Sequence, residues 1–318
     1  MSEHRITVWS ERPGVLSEGP RWHADRQELL WVDILAGHLH RATLRDDGAL
    51  AELQTIALDR HVGAVAPALR GGYVLAAGQG FLFVSENGEI AELAQPMAGR
   101  AELRMNDGAC DPQGRFWAGS MAYDESPGAG TLYRLELDGT CTSVLERLTI
   151  SNGIGWSPDG TSMYLNDSGT GRVEGFHFED HSGAITSRRV LVEIRERGVA
   201  PDGLTVDEEG GIWVALWGGG AVNRYAPDGS LLTRIELPVK RPTACTFGGV
   251  DRRTLFVTTA RAGLDERAIA QQPDAGRVFS ISGLGVRGLP TQSYRGRLDV
   301  LGPSGGARLG SRKSVTPD

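Results

Sequence analysis

The chain has 318 residues, 40% hydrophobic and 23% charged, which is enough apolar material for a sizeable core and excludes a disordered or fibrous protein. Thirty-three basic residues against 40 acidic ones leave a net charge of −7, so there is no basic field to draw nucleic acid or an anionic membrane surface. No apolar signal core or stretch of ~18 apolar residues is present, and Cys110, Cys141 and Cys245 are too scattered for a disulfide framework or thiolate zinc site, which makes the cytoplasm the expected compartment.

In chain order, a first strand is expected near Ile6-Thr7-Val8-Trp9. Short aromatic or β-branched runs then recur as Leu30-Trp31-Val32, Tyr73-Val74-Leu75, Phe116-Trp117-Ala118, Met163-Tyr164-Leu165, Ile212-Trp213-Val214 and Leu255-Phe256-Val257. Their middle residues are 43, 43, 47, 49 and 43 positions apart. A glycine-led strand follows each, from Gly37-His38-Leu39 in the first copy to Gly276-Arg277-Val278 in the last. Asp47-Gly48, Asn87-Gly88, Asp138-Gly139, Asp159-Gly160 and Asp228-Gly229 fall between alternating runs, as hairpin turns do.

Six such copies predict an all-β, six-bladed β-propeller. A sandwich would not need near-equal steps, and a βαβ fold would need helices of about 10 to 15 residues between strands. The first strand should pair with the last blade, because closing the ring removes open sheet edges. Residues 1–302 then form one domain, and the polar, turn-rich segment 303–318 reads as a tail.

The inner strand of each blade lines the central channel, so equivalent positions on those strands form a ring around the axis. Eleven to 13 residues before each aromatic marker stand Glu18, His61, Asn106, Asn152, Asp202 and Thr243, all polar. Carboxylates and carboxamides at one mouth of the channel offer hard oxygen ligands, which suit Ca²⁺, Mg²⁺ or Mn²⁺. Each Asn-Gly or Asp-Gly pair alone is a common turn signal, and only the shared register gives it a second meaning. The acidic runs Asp124-Glu125 and Asp207-Glu208-Glu209 read as solvated loops. Trp217-Gly218-Gly219-Gly220 lacks the lysine of a phosphate loop.

Several segments together resemble the regucalcin/gluconolactonase/luciferin-regenerating-enzyme-like family. They are Ser17-Glu18-Gly19-Pro20, Arg104-Met105-Asn106-Asp107-Gly108, Ser151-Asn152-Gly153, Pro201-Asp202-Gly203-Leu204 and Pro242-Thr243-Ala244-Cys245-Thr246-Phe247, in order over about residues 15–280. The resemblance implies a metal-dependent propeller that hydrolyses a sugar lactone, with one divalent cation held by Glu18, Asn152 and Asp202. Calcium is the first choice of ion, with Mg²⁺, Mn²⁺, Zn²⁺ or Fe²⁺ as alternatives. Arg104 and Asn106 would contact substrate. Where relatives place an acidic residue after Gly-Thr-Met-Ala, this chain has Gly119-Ser120-Met121-Ala122-Tyr123, so Tyr123 or the neighbouring acids would take over that wall. The expected chemistry is polarisation of the lactone carbonyl by the cation, with Asp202 activating water or attacking directly and His61 as an auxiliary base. The alternatives are hydrolysis of a phosphotriester or another ester at the same site, or a non-catalytic calcium-binding regulatory propeller. The expected partner is a small lactone rather than nucleic acid or membrane, and the protein would be a monomer or small homo-oligomer.

Overall fold

The structure, a computed structural model, describes residues 4–45 and 50–298. It contains six four-stranded antiparallel sheets that follow one another along the chain. Blade 1 comprises Ser17–His23, Glu28–Asp33, His38–Leu44 and Leu50–Ala57. Blades 2 to 6 begin with Val62–Pro67, Leu103–Cys110, Ser151–Trp156, Ala200–Val206 and Pro242–Gly248. These first strands contact the first strands of both neighbouring blades, so they line the axis. The six residues at the centre of the aromatic repeat all lie on second strands and are buried.

The last blade is built from both ends of the chain. Its first three strands, Pro242–Gly248, Thr254–Thr259 and Phe279–Ser282, are completed by Arg5–Val8, which pairs antiparallel with Phe279–Ser282. The expected ring closure is therefore present. The third strand starts at Phe279 rather than at the glycine-led Gly276-Arg277-Val278, which belongs to the turn before it, and the connection also holds a six-residue helix, Glu266–Gln271. Asp265 caps this helix by accepting from the Ala268 N–H at 2.7 Å, and so short a helix leaves no period to read.

Six apolar clusters occur among the described residues, one at each seam between neighbouring blades. At the closing seam Trp9 meets Trp31 and Phe256 edge-on, with centroids 6.0 and 5.2 Å apart, contacts that each add about 0.5–1.5 kcal/mol beyond area burial. Four expected turns are present: the N–H groups of Gly88, Gly139, Gly160 and Gly229 each donate to the carbonyl three residues earlier. Asp47-Gly48 and the expected tail 303–318 lie outside the described residues.

Recurrent aspartates brace the blades. Asp111 and Asp207 are fully buried, and each accepts from a tryptophan Nε1 on the next strand (Trp117 and Trp213, both 2.8 Å) and from an arginine Nε. Asp207 therefore corrects the reading of Asp207-Glu208-Glu209 as a solvated loop: its carboxylate satisfies the Glu209 and Gly211 N–H groups of the turn as well as Trp213 and Arg224. Asp33 and Asp167 accept from backbone N–H groups of Val15 and Leu16, and of Thr149 and Ile150, fixing where two inner strands begin.

After the last blade the chain runs across the end of the propeller as a strap. Arg287 and Gly288 bond to Glu208 and Arg252 on blades 5 and 6, while Tyr294 pairs with Pro67 and Leu69 on blade 2. Arg295 and Arg297 reach Gly114 and Leu137 on blade 3. No helix among the described residues is long and apolar enough to cross a membrane. The three cysteines are free, and burial pushes the Cys141 thiol up to about 11.

Candidate active site at one mouth of the channel

All six inner strands pair with their neighbours through a register shift near their first residues: Glu18/Arg21, Val62/Ala64, Met105/Gly108, Ser151/Ile154, Pro201/Leu204 and Pro242/Ala244. A bulge leaves residues out of the ladder and re-aims their side chains. The polar ring of the sequence coincides with these shifts: Glu18, Asn106, Asn152, Asp202 and Thr243 lie within or beside them, and His61 immediately precedes one. The Asn-Gly and Asp-Gly pairs here are not hairpin turns. Glycines at this level let the crowded inner strands approach: a Cβ at Gly153, in one of these pairs, would lie 2.4 Å from the Leu204 nitrogen, and one at Gly63, which follows Val62, 2.1 Å from the Asn106 carbonyl oxygen.

Glu18, Arg104, Asn106, Asn152 and Asp202 are all buried, with exposures of 4 to 7%. Asn152 Nδ2 donates to Asp202 Oδ1 and, at 3.0 Å, to Ser168 Oγ. Arg104 Nη1 donates to Asn106 Oδ1 at 2.7 Å and to the Met105 carbonyl at 3.0 Å. Asn106 Nδ2 in turn donates to the Ser151 carbonyl at 3.0 Å, tying blade 3 to blade 4. Asn166, which sequence reasoning did not single out, donates to the Asp202 carbonyl and fixes the backbone beneath that side chain. At the outer edge, His61 Nδ1 and Tyr123 Oη are 2.9 Å apart, and Tyr123 is half exposed. Thr243 plays a different part: its hydroxyl bonds the Ser17 carbonyl at 2.6 Å and Thr258 at 2.8 Å, joining blade 6 to blade 1.

A third carboxylate, Asp107, belongs to the cluster. It is 2% exposed, accepts from Gly108 N at 2.7 Å and faces Arg21 Nη2 at 3.4 Å. Burial, then the charge of Asp107, pushes the Glu18 carboxyl up to about 8. Burial followed by the charges of Glu18 and Asp107 raises Asp202 well above the usual carboxylate range, and burial raises Asp107. Arg104 is held below its ordinary value by burial, against the pull of Tyr123, Glu18, Glu125 and Asp202. Burial and then Arg104 lower His61, so its imidazole is neutral at pH 7.

The donor set fits a hard cation. Three carboxyl groups are buried close together, and two acceptor atoms of the cluster, Asn152 Oδ1 and Asp107 Oδ2, are buried without a hydrogen-bond donor among the described residues. A grouping of three or more His, Cys, Asp or Glu side chains arranged around a metal does not occur among the described residues. The candidate set takes one of its three members from an asparagine.

The chain is similar to regucalcin of Danio rerio, with 34% identity over 299 residues, 93% of this chain and all of the relative. A solved calcium-binding protein, regucalcin from Agrobacterium tumefaciens, superposes with a TM-score of 0.85 at 32% identity, covering 91% of this chain and 96% of the other. A solved luciferin-regenerating enzyme gives 0.84 at 27% identity, covering 92% of this chain and all of the other. Residues 16–261 match the family model described as the SMP-30/Gluconolactonase/LRE-like region, and the chain belongs to that family.

Proposed function

We propose that this protein is a divalent-metal-dependent hydrolase that opens a sugar lactone to the corresponding aldonic acid. The observation that carries the reading is the mutual burial of Glu18, Asp107 and Asp202 beside the donor-less Asn152 Oδ1, with a buried arginine, Arg104, in the same mouth. Glu18, Asn152 and Asp202 would hold the cation. When bound, a divalent ion supplies Lewis-acid polarisation of an ester carbonyl. Gluconolactonase in the family description supports a lactone as substrate, and the neighbour described as calcium-binding supports calcium as the ion.

The chain's own groups account for the rest. Asp202, steadied by Asn152 through Oδ1 and by Asn166 through its backbone, accepts a proton from the water that attacks the carbonyl carbon. The tetrahedral species then expels the ring oxygen, which takes up a proton to leave one hydroxyl and one carboxylate. Arg104 is anchored through Nη1, so its remaining N–H groups form a fixed fork for substrate oxygens. Tyr123 and neutral His61, paired at the rim, meet the sugar hydroxyls and can relay a proton.

The test is base consumption on a panel of aldono-lactones, using metal-stripped protein with single ions restored and spontaneous opening subtracted. Ion-dependent opening of one lactone class is expected, with loss of at least about 100-fold in the Asp202→Asn variant, the lower range for general acid–base catalysis. Background rates on every lactone, combined with tight calcium binding, would replace this reading with a non-catalytic calcium-binding propeller.

A further inference from the structure

The inner strands all run the same way along the axis, so their later residues reach the opposite mouth of the channel. There a cavity of about 250 Å³ lies between those strands and the strap, which contributes Leu289–Gln292 to its wall. We propose that this cavity is a second binding site, separate from the candidate active site, for a small organic carboxylate.

Among the described residues Arg21 is the only charged one lining the cavity, and it is 7% exposed. Its Nη1 donates to the Pro20 carbonyl at 2.8 Å and its Nη2 to the Gly108 carbonyl at 2.6 Å, with Asp107 Oδ1 farther off at 3.4 Å. Its Nε is buried and has no acceptor among the described residues. A buried guanidinium N–H left unpaired is costly, and an anionic oxygen beside it would remove that cost. Thr205, Thr246 and Thr291 bring hydroxyls to the same wall, while Ile154, Leu204 and Val206 make the remainder apolar. Arg21 already faces one carboxylate, Asp107, so its open Nε–H and the apolar walls suit a monoanion with a hydrophobic body better than a doubly charged phosphate, whose second charge would be buried unpaired. The volume leaves room for a compact aromatic or branched acid.

Benzoate is the probe, followed by saturation-transfer NMR and calorimetry on the full chain. Saturable binding is expected, at least ten-fold weaker for neutral benzamide and for the Arg21→Met variant. Because Arg21 is buried, a second variant is needed: Thr291→Trp fills the cavity from the half-buried strap and should abolish benzoate binding while leaving circular dichroism and any lactone opening unchanged. The proposal is overturned by the absence of saturable benzoate binding, by equal affinity for benzamide, or by undiminished binding in folded Thr291→Trp. Displacement of benzoate by a lactone that the enzyme opens would put the ligand in the other mouth and also overturn it. Failure of lactone opening with retained benzoate binding would sink the proposed reaction and not this site.

Discussion

Replacing Glu18 by glutamine should stabilise the metal-free protein at neutral pH, although it removes a proposed ligand. The Glu18 carboxyl is raised from 4.5 to about 8 by burial and by Asp107. Between those values the folded protein holds a proton that the unfolded chain has released, so stability falls as pH rises through that window. At pH 7 the displacement covers about 2.5 pH units at 1.36 kcal/mol each, a penalty of about 3 kcal/mol that glutamine avoids. Near pH 4.5 the carboxyl is protonated in the folded state and the advantage should shrink towards zero. Saturating divalent ion should reverse the order, since the wild type then gains about 2.7 kcal/mol at 100 times its Kd while the variant gains less. Urea denaturation at pH 4.5, 7 and 8.5, with chelator and then with calcium, measures every arm. Equal stability of the two proteins at pH 7 in chelator would refute the idea that burial and the charge of Asp107 keep the Glu18 carboxyl protonated in the metal-free fold.

Asp207→Ala should cost about 3–5 kcal/mol, because it leaves the Arg224 charge without its buried partner and Trp213 Nε1 without an acceptor; denaturant midpoints measure it, and a change under about 0.5 kcal/mol would contradict the bracing role. Gly63→Ala would place a methyl against the Asn106 carbonyl and should cost about 1–3 kcal/mol by overpacking; calorimetry should also show weaker divalent-ion binding, because the strand that must shift carries Asp107, whose negative charge acts on Glu18 and Asp202 of the proposed ion set. A Gly63→Ala protein with unchanged ion affinity would show that the inner strands do not share one geometry.

The repeat was legible because each blade carries an aromatic second strand and a polar hairpin turn, both local in sequence. The ring at the mouth was legible for the same reason, as Glu18, Asn106, Asn152 and Asp202 fall at one phase of the period. Asp107 reads in the sequence as a possible turn residue and not as a site residue, and strict strand alternation would turn it away from the face that Asn106 occupies. The bulge between Met105 and Gly108 suspends that alternation. Asp207 looked like a member of an acidic surface run, and its partners Trp213 and Arg224 become neighbours only when the blade folds. The strap left no pattern, since its attachments to Pro67, Gly114 and Leu137 are made by backbone groups that any residue supplies.

The blade shared between the chain's two ends bears on how the protein emerges from a ribosome. Arg5–Val8 must wait for Phe279–Ser282, some 270 residues later, before it has a partner. At about 5–20 residues per second that wait is on the order of 15–50 seconds. Five complete blades can assemble in that time, yet the seam joining Trp9, Trp31 and Phe256 stays unsealed throughout. The nascent propeller is an open arc with a sticky edge at its first blade. Conditions that slow late translation or truncate the last blade should therefore favour aggregation over a partly active product.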